Sequence, residues 1–270
     1  MPTFVTLCFF TVKFSRMPFT LAHPIAAAPI WLLSQRKLDL LALAIGTMIP
    51  DFQYFIALKP VRAIGHSLPG VFIEGVPCSL VLLLVFHYVL KYPLLALAPS
   101  GVADRLPPMR RFSLFPLSQL FIIIVSIAIG GISHIIWDNF THSTGWFVVR
   151  FPLLQSKIFS LSVYKLLQYG SGILGLCGLS IWFLVWLLKT QPRQQSKEML
   201  PVRWKLLATG CILLTSCMFA LIAVNLHLAE DGSFSGIVVR AVIGSISGLF
   251  LGCLFYSAAF WKFKGFQQVN

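Results

Sequence analysis

The sequence predicts an all-α, polytopic integral membrane bundle of about six to seven helices, the first two short or broken. Three observations carry that prediction. Of the 270 residues, 57% are hydrophobic and only 11% are charged, whereas soluble domains run at about 45–50% and about 25%. Mean hydropathy is +0.85. The apolar runs are also continuous, as in Leu80–Phe86 and Leu120–Ile129. A membrane β-barrel would alternate over about ten residues, so helices must satisfy the backbone in lipid.

Helices are expected over 21–33, 39–58, 71–90, 117–140, 165–188, 205–228 and 236–260. The last five reach the roughly 20 residues that a hydrocarbon core requires. The first is short and carries Pro24 and Pro29, and Pro50 interrupts the second ahead of Asp51. Broken helices at membrane depth are tolerated where they line a cavity or are buried in protein, which sets both segments beside something polar. Residues 1–16 are too short to span and lack a small-residue cleavage site. Met17 opens Met17-Pro18-Phe19-Thr20 and is the expected natural start, with 1–16 an over-extension. Residues 17–190 then form a membrane domain that holds the polar groups, and 191–270 a linker plus two further membrane helices.

The net charge of +13 is a topology signal. Arg36, Lys37, Lys91, Arg105, Arg110, Arg111, Lys189, Arg193, Lys197, Arg203, Lys205, Lys262 and Lys264 fall in alternate connections, on one side. The other side holds fewer, namely Lys59, Arg62, Arg150, Lys157 and Lys165. By the positive-inside rule the first side is cytoplasmic. No basic patch is interleaved with aromatics as single-stranded nucleic acid requires, so the expected partner is the lipid bilayer and no nucleic acid. The six cysteines form no CxxC pair and read as small apolar residues.

Against this background six groups stand out: His23, Asp51, His66, His134, Asp138 and His142. Ionisable residues inside a membrane are costly and are functional candidates by default. The expected topology puts all six on the extracytoplasmic side, an agreement that scattered core histidines have no reason to show. His134 and Asp138 are four residues apart and share a helix face, with His142 a further turn on. Two ligands one turn apart can grip one ion. Imidazole with carboxylate suits a divalent metal, zinc or equally manganese or iron. Gly65 lets the chain turn ahead of His66, Pro50 aims Asp51 from a broken helix end, and Pro24 biases His23 toward extended backbone.

Each group alone has a simpler reading. A single membrane histidine is more often a hydrogen-bonded structural residue than a ligand, and Asp138 can merely pair with His134. It is the joint pattern that favours a metal. Glu74, near the outer end of the third helix, suits the helix dipole and is a candidate general base. His87 falls toward the cytoplasmic side and His227 near the outer interface. Tyr164-Lys165-Leu-Leu-Gln168-Tyr169 reads as an interfacial anchor, with Lys165 able to face an anionic head group.

The motifs Met17-Pro-Phe-Thr-Leu-Ala-His23-Pro24, Gly46-Thr-Met-Ile-Pro50-Asp51-Phe52, Gly65-His66-Ser67 and His134-Ile-Ile-Trp-Asp138-Asn-Phe-Thr141-His142 resemble the landmarks of domain-of-unknown-function family 4184, a family of bacterial membrane proteins. The resemblance covers Met17 to about Lys189 and implies the bacterial inner membrane. More distantly, the chain resembles the membrane-bound metal-dependent hydrolases, a group related to zinc-dependent phospholipase C and the P1-type nucleases. That resemblance implies metal ligands at His23, Asp51, His66, His134 and Asp138. Gln53 stands where those hydrolases often carry a second aspartate, which weighs against a multi-metal site. Three readings follow: a metal-dependent hydrolase of a lipid-like or envelope ester or phosphoester, a transporter or ion-handling protein, and a non-enzymatic scaffold in which His134 and Asp138 form a structural pair.

Overall fold

The computed structural model describes residues 20–61, 64–106, 112–192 and 200–265. Met17 and the stretch before it, and Arg62, Arg110, Arg111, Arg193 and Lys197, lie outside these residues. The chain is an all-α membrane bundle. Five helices are long and apolar enough to cross a membrane, or six if one bent pair counts as a single span.

The first element, α1 (Thr20–Leu33), has the expected limits. Its first half, Thr20–Ala26, is a 3₁₀ turn around Pro24, because proline supplies no N–H to an α-helical ladder. Asp39 caps α2 (Leu40–Gly46) by accepting from the Ala42 N–H at 2.8 Å. Its own N–H donates to Ser126 Oγ at 2.9 Å. The second expected helix breaks where Pro50 requires: a 3₁₀ turn, Ile49–Asp51, leads into α3 (Phe52–Ala57), bent by 41° from α2. A further 3₁₀ turn, Ile64–His66, precedes α4 (Leu68–Leu97), whose start Ser67 caps through the Gly70 N–H. Wider π-type turns interrupt α4 at Val71–Gly75 and Val85–Leu90, and Pro77 and Pro93 fall inside it.

The straight span α5 (Leu117–Thr141) is followed by the short α6 (Trp146–Arg150) and α7 (Pro152–Gln155). A minimal hairpin of β1 (Lys157–Ile158) and β2 (Leu161–Ser162) leads into α8 (Val163–Lys189). Helices α9 (Val202–Leu226) and α10 (Phe234–Gly265) complete the chain.

The packed core lies between α2, α4 and α5, where Ala42, Ile45, Val76, Leu83, Ile123 and Ile127 are buried together. Lipid tails are as apolar as leucine, so close backbone packing must hold such helices together. Gly46 and Gly130 supply it: a Cβ on Gly46 would strike the Ile127 carbonyl, and one on Gly130 the Leu43 carbonyl. Helix α8 seats Gly175 on Ala22 and Gly178 on Ile25 of α1, while its remaining surface is largely apolar and exposed. Gly244, Gly248 and Gly252, spaced by four, let α10 lie against the backbone of α9. Helix α10 is tied to the rest by Ser247 Oγ donating to Phe55 O (2.8 Å), Tyr256 OH to Pro93 O (3.1 Å) and Trp261 Nε1 to Val89 O (2.9 Å).

Candidate metal centre

Thr47 lies at the break between α2 and the 3₁₀ turn, and its carbonyl is not consumed by a continuous helix. It accepts from His134 Nδ1 at 2.8 Å. A carbonyl only accepts, so Nδ1 carries a proton and Nε2 faces the interior. His134 is 1% exposed, and this buried Nε2 has the Asp138 and Asp51 carboxylates 3.3 and 3.8 Å away.

One turn on along α5, Asp138 faces the same point, with Oδ2 3.3 Å from His134 Nε2. His66 arrives from the turn ahead of α4. Its Nε2 lies 3.2 Å from Asp51 Oδ1 and 3.4 Å from Asp138 Oδ2. Asp51 Oδ1 is in turn 3.8 Å from His134 Nε2. Thr20 Oγ1 holds the other Asp51 oxygen, Oδ2, at 2.5 Å. Four atoms from three elements therefore form a closed ring. A tetrahedral ion with bonds of about 2.1 Å has ligand–ligand edges of about 3.4 Å, and the four measured edges surround that value.

His23 stacks on His134 with ring centroids 4.2 Å apart, and its Nε2 lies 3.9 Å from Asp138 Oδ1. His142, just past the end of α5, keeps Nδ1 3.5 Å from the same Oδ1, and its Nε2 is 3.1 Å from Gln168 Nε2. Two ligand sets, His23–His134–Asp138 and Asp51–His66–His134, each bring their donor atoms within 4.8 Å of one another. Burial pushes the His66 imidazole toward neutrality, but Asp138 and Asp51 outweigh it and raise its pKa to about 9. At neutral pH, without a metal, His66 is thus protonated between two carboxylates, in the position that a cation would fill.

All six groups singled out in the sequence line one cavity of about 880 Å³ at one end of the bundle. The cavity wall also includes Tyr54, Tyr164, Lys165 and Gln168, so the supposed anchor segment at the start of α8 faces the centre. Glu74 does not join them. It accepts from Gln53 Nε2 at 2.5 Å, and neither residue lines the cavity. His87 stacks on Phe112 at 4.0 Å. His227 sits between Glu230 Oε1 (3.1 Å) and the Ala57 carbonyl (3.2 Å). Three contributors had no clear sequence signal. Thr20 was visible only as part of the opening motif, Thr47 acts through its backbone, and Gln168 reads as an interfacial polar residue.

No curated protein and no solved structure matches the chain. A family model does, that of the domain of unknown function DUF4184, over residues 17–258, a span that includes α9 and most of α10, beyond the quoted motifs. With that match across most of its length, and the four motifs converging on one cavity, the chain belongs to the DUF4184 family.

Proposed function

We propose that the chain is a membrane-embedded, metal-dependent hydrolase whose centre faces the extracytoplasmic side of the bacterial inner membrane. The observation that carries this reading is the ring of His66, His134, Asp51 and Asp138, with edges of 3.2 to 3.8 Å. These four residues would hold a divalent cation, zinc being one that suits such ligands. When bound, the metal supplies Lewis-acid polarisation of an ester or phosphoester oxygen and activation of water.

The chain's own groups do the positioning. The Thr47 carbonyl selects the His134 tautomer, and Thr20 leaves Asp51 with one oxygen directed inward. Gln168 orients His142, and Lys165 in the wall suits an anionic substrate group. Glu74 lies outside the cavity lining, so a proton acceptor has to come from the groups that do line it. The flanking Trp137 and Tyr164 suit a membrane interface and support a lipid-like or envelope ester or phosphoester as substrate. The polar groups gather at one end of the bundle, which favours a site over a transport path.

The test is elemental analysis of the protein purified in mild detergent, with hydrolysis of a fluorogenic phospholipid assayed beside it. Bound divalent metal is expected in the wild type, with loss of metal and turnover in His134→Ala/Asp138→Ala. A wild-type protein that takes up no divalent metal overturns the reading.

A further inference from the structure

The connection between α5 and α8 is ordered, yet it turns its apolar side chains outward. Phe140 of α5 stacks on Phe147 of α6 at 3.9 Å, and Phe147 on Phe151 at 6.1 Å. Gln155 Nε2 donates to the Val148 carbonyl (2.9 Å), and the Val163 N–H to the Ser156 carbonyl (2.9 Å). On this frame Trp146, Val149, Phe151, Leu153, Ile158 and Phe159 are all exposed. Single exposed apolar residues are ordinary, but such a concentration in one connection marks an interaction surface. Phe159, at the turn between β1 and β2, is 99% exposed and has a φ of 56°. A bulky residue in this left-handed region is uncommon. A large aromatic held outward on a strained backbone points to a function.

We propose that this connection is an interfacial anchor lying on the leaflet at the cavity end, with Phe159 inserted among the phospholipids. Depth, continuity and charge each select lipid as the occupant. Helix α5 has 25 residues and is about 38 Å long at 1.5 Å per residue, more than the roughly 30 Å of a hydrocarbon core. Its end, where the connection is rooted, therefore reaches the head-group layer. Trp137, one turn before that end, and Tyr164, in the first turn of α8, suit the same level. The apolar face also continues the lipid-facing surface of the spans, where Ile136 of α5 and Ile173 and Leu174 of α8 are exposed. Between Asp138 and Lys189 the sequence has no acidic residue, while the connection carries Arg150 and Lys157, both exposed. The Arg150 guanidinium lies 4.1 Å from the centre of the Trp146 ring, an apolar body with a cationic tip that matches acyl chains below phosphates. A two-fold pairing with a second copy would bring these cations together with no acid to answer them. Thr144 and Gly145 before the anchor, and Tyr164 and Lys165 after it, line the cavity, so insertion sets the cavity beside the head groups. A phospholipid would then reach the centre without leaving the bilayer; that last step rests on the hydrolase reading, and the insertion does not.

The experiment replaces Phe159 of the full chain by photoreactive p-benzoyl-phenylalanine and irradiates the protein in vesicles of phosphatidylethanolamine and phosphatidylglycerol. The peptide that carries position 159 is expected to gain the mass of a phospholipid. Chain-to-chain cross-links as the main product would assign the face to a second copy, and a chain without adducts would assign it to water. Either result overturns the anchor. If the variant at 159 does not fold, the same probe at Leu153, which is 74% exposed, decides in the same way. Chelator-treated protein is expected to give the same lipid adduct. The anchor is thus judged without metal, and a chain that takes up no metal overturns the hydrolase reading alone.

Discussion

At His134 a backbone carbonyl decides which ring nitrogen faces the cavity, and at Asp51 a threonine hydroxyl decides which oxygen does. Such outer contacts commonly shift metal affinity by about 10–100-fold when removed. Thr20→Val is therefore expected to weaken metal binding at least tenfold while the chain stays folded, measured by competition with a chelating dye. His66 sets the pH behaviour. Its folded pKa of about 9 lies above its ordinary value, so its contribution to stability is complete below about pH 6.5 and is lost as pH rises through 9. Thermal melts of the chelator-treated protein are expected to fall in midpoint across that window. Metal must displace the same proton, so metal affinity is expected to rise by up to about tenfold per pH unit over the same interval. A flat affinity profile would show that His66 is not a ligand.

Among the elements, the crossing of α2 and α5 matters most, because it carries the Thr47 carbonyl to His134. Gly46 and Gly130 allow the two backbones to touch. A side chain at Gly130 would meet the Leu43 carbonyl and the Thr47 N–H, neither of which can rotate away. Gly130→Leu is expected to cost about 1–3 kcal/mol or more, in line with overpacked cores, and to lower metal affinity as well. A variant with unchanged melting and metal content would show that the contact is not needed. The α1–α2 turn is unusual too. Asp39 bonds to Ser126, nine residues past the start of α5, so this turn lies beside α5 rather than beyond its end. The break after α2 is what frees a carbonyl for the centre and turns Asp51 toward it.

For the whole molecule, charge and site agree on one arrangement. The cavity lies at the end of α5 and the start of α8. The α9–α10 connection meets α3 at the same end, where Lys59 Nζ contacts both Glu230 oxygens at 2.8 Å and His227 reaches the Ala57 carbonyl. Lys205 bonds the Ala98 carbonyl at the opposite end. Because the basic loops predict that this opposite end is cytoplasmic, the exposed Ser143 and Ser100 provide a test. In intact spheroplasts, Ser143→Cys is expected to react with a membrane-impermeant maleimide above the level of the parent chain, and Ser100→Cys only after permeabilisation. The reverse pattern would place the centre on the cytoplasmic face.

The helices and the polar groups were legible in the sequence because both are local properties. Hydropathy over about 20 residues determines a span, and an imidazole or carboxylate within such a span is conspicuous whatever it touches. Pro50 announced the break ahead of Asp51 for the same local reason. The partners of these groups were not legible. Asp51 meets His66, His134 and Thr20 only because a bent helix pair is pressed against α5 through two glycines, and the two oxygens of Asp138 separate four histidines that span 120 positions of the chain, from His23 to His142. Glu74 resembled a site residue and instead bonds Gln53, since its direction depends on how α4 faces α3. Sequence alone determined a membrane bundle with a set of candidate ligands. Tertiary structure decided that they share one cavity, because through-space distance depends on how helices bend and how closely they approach, and no residue records that by itself.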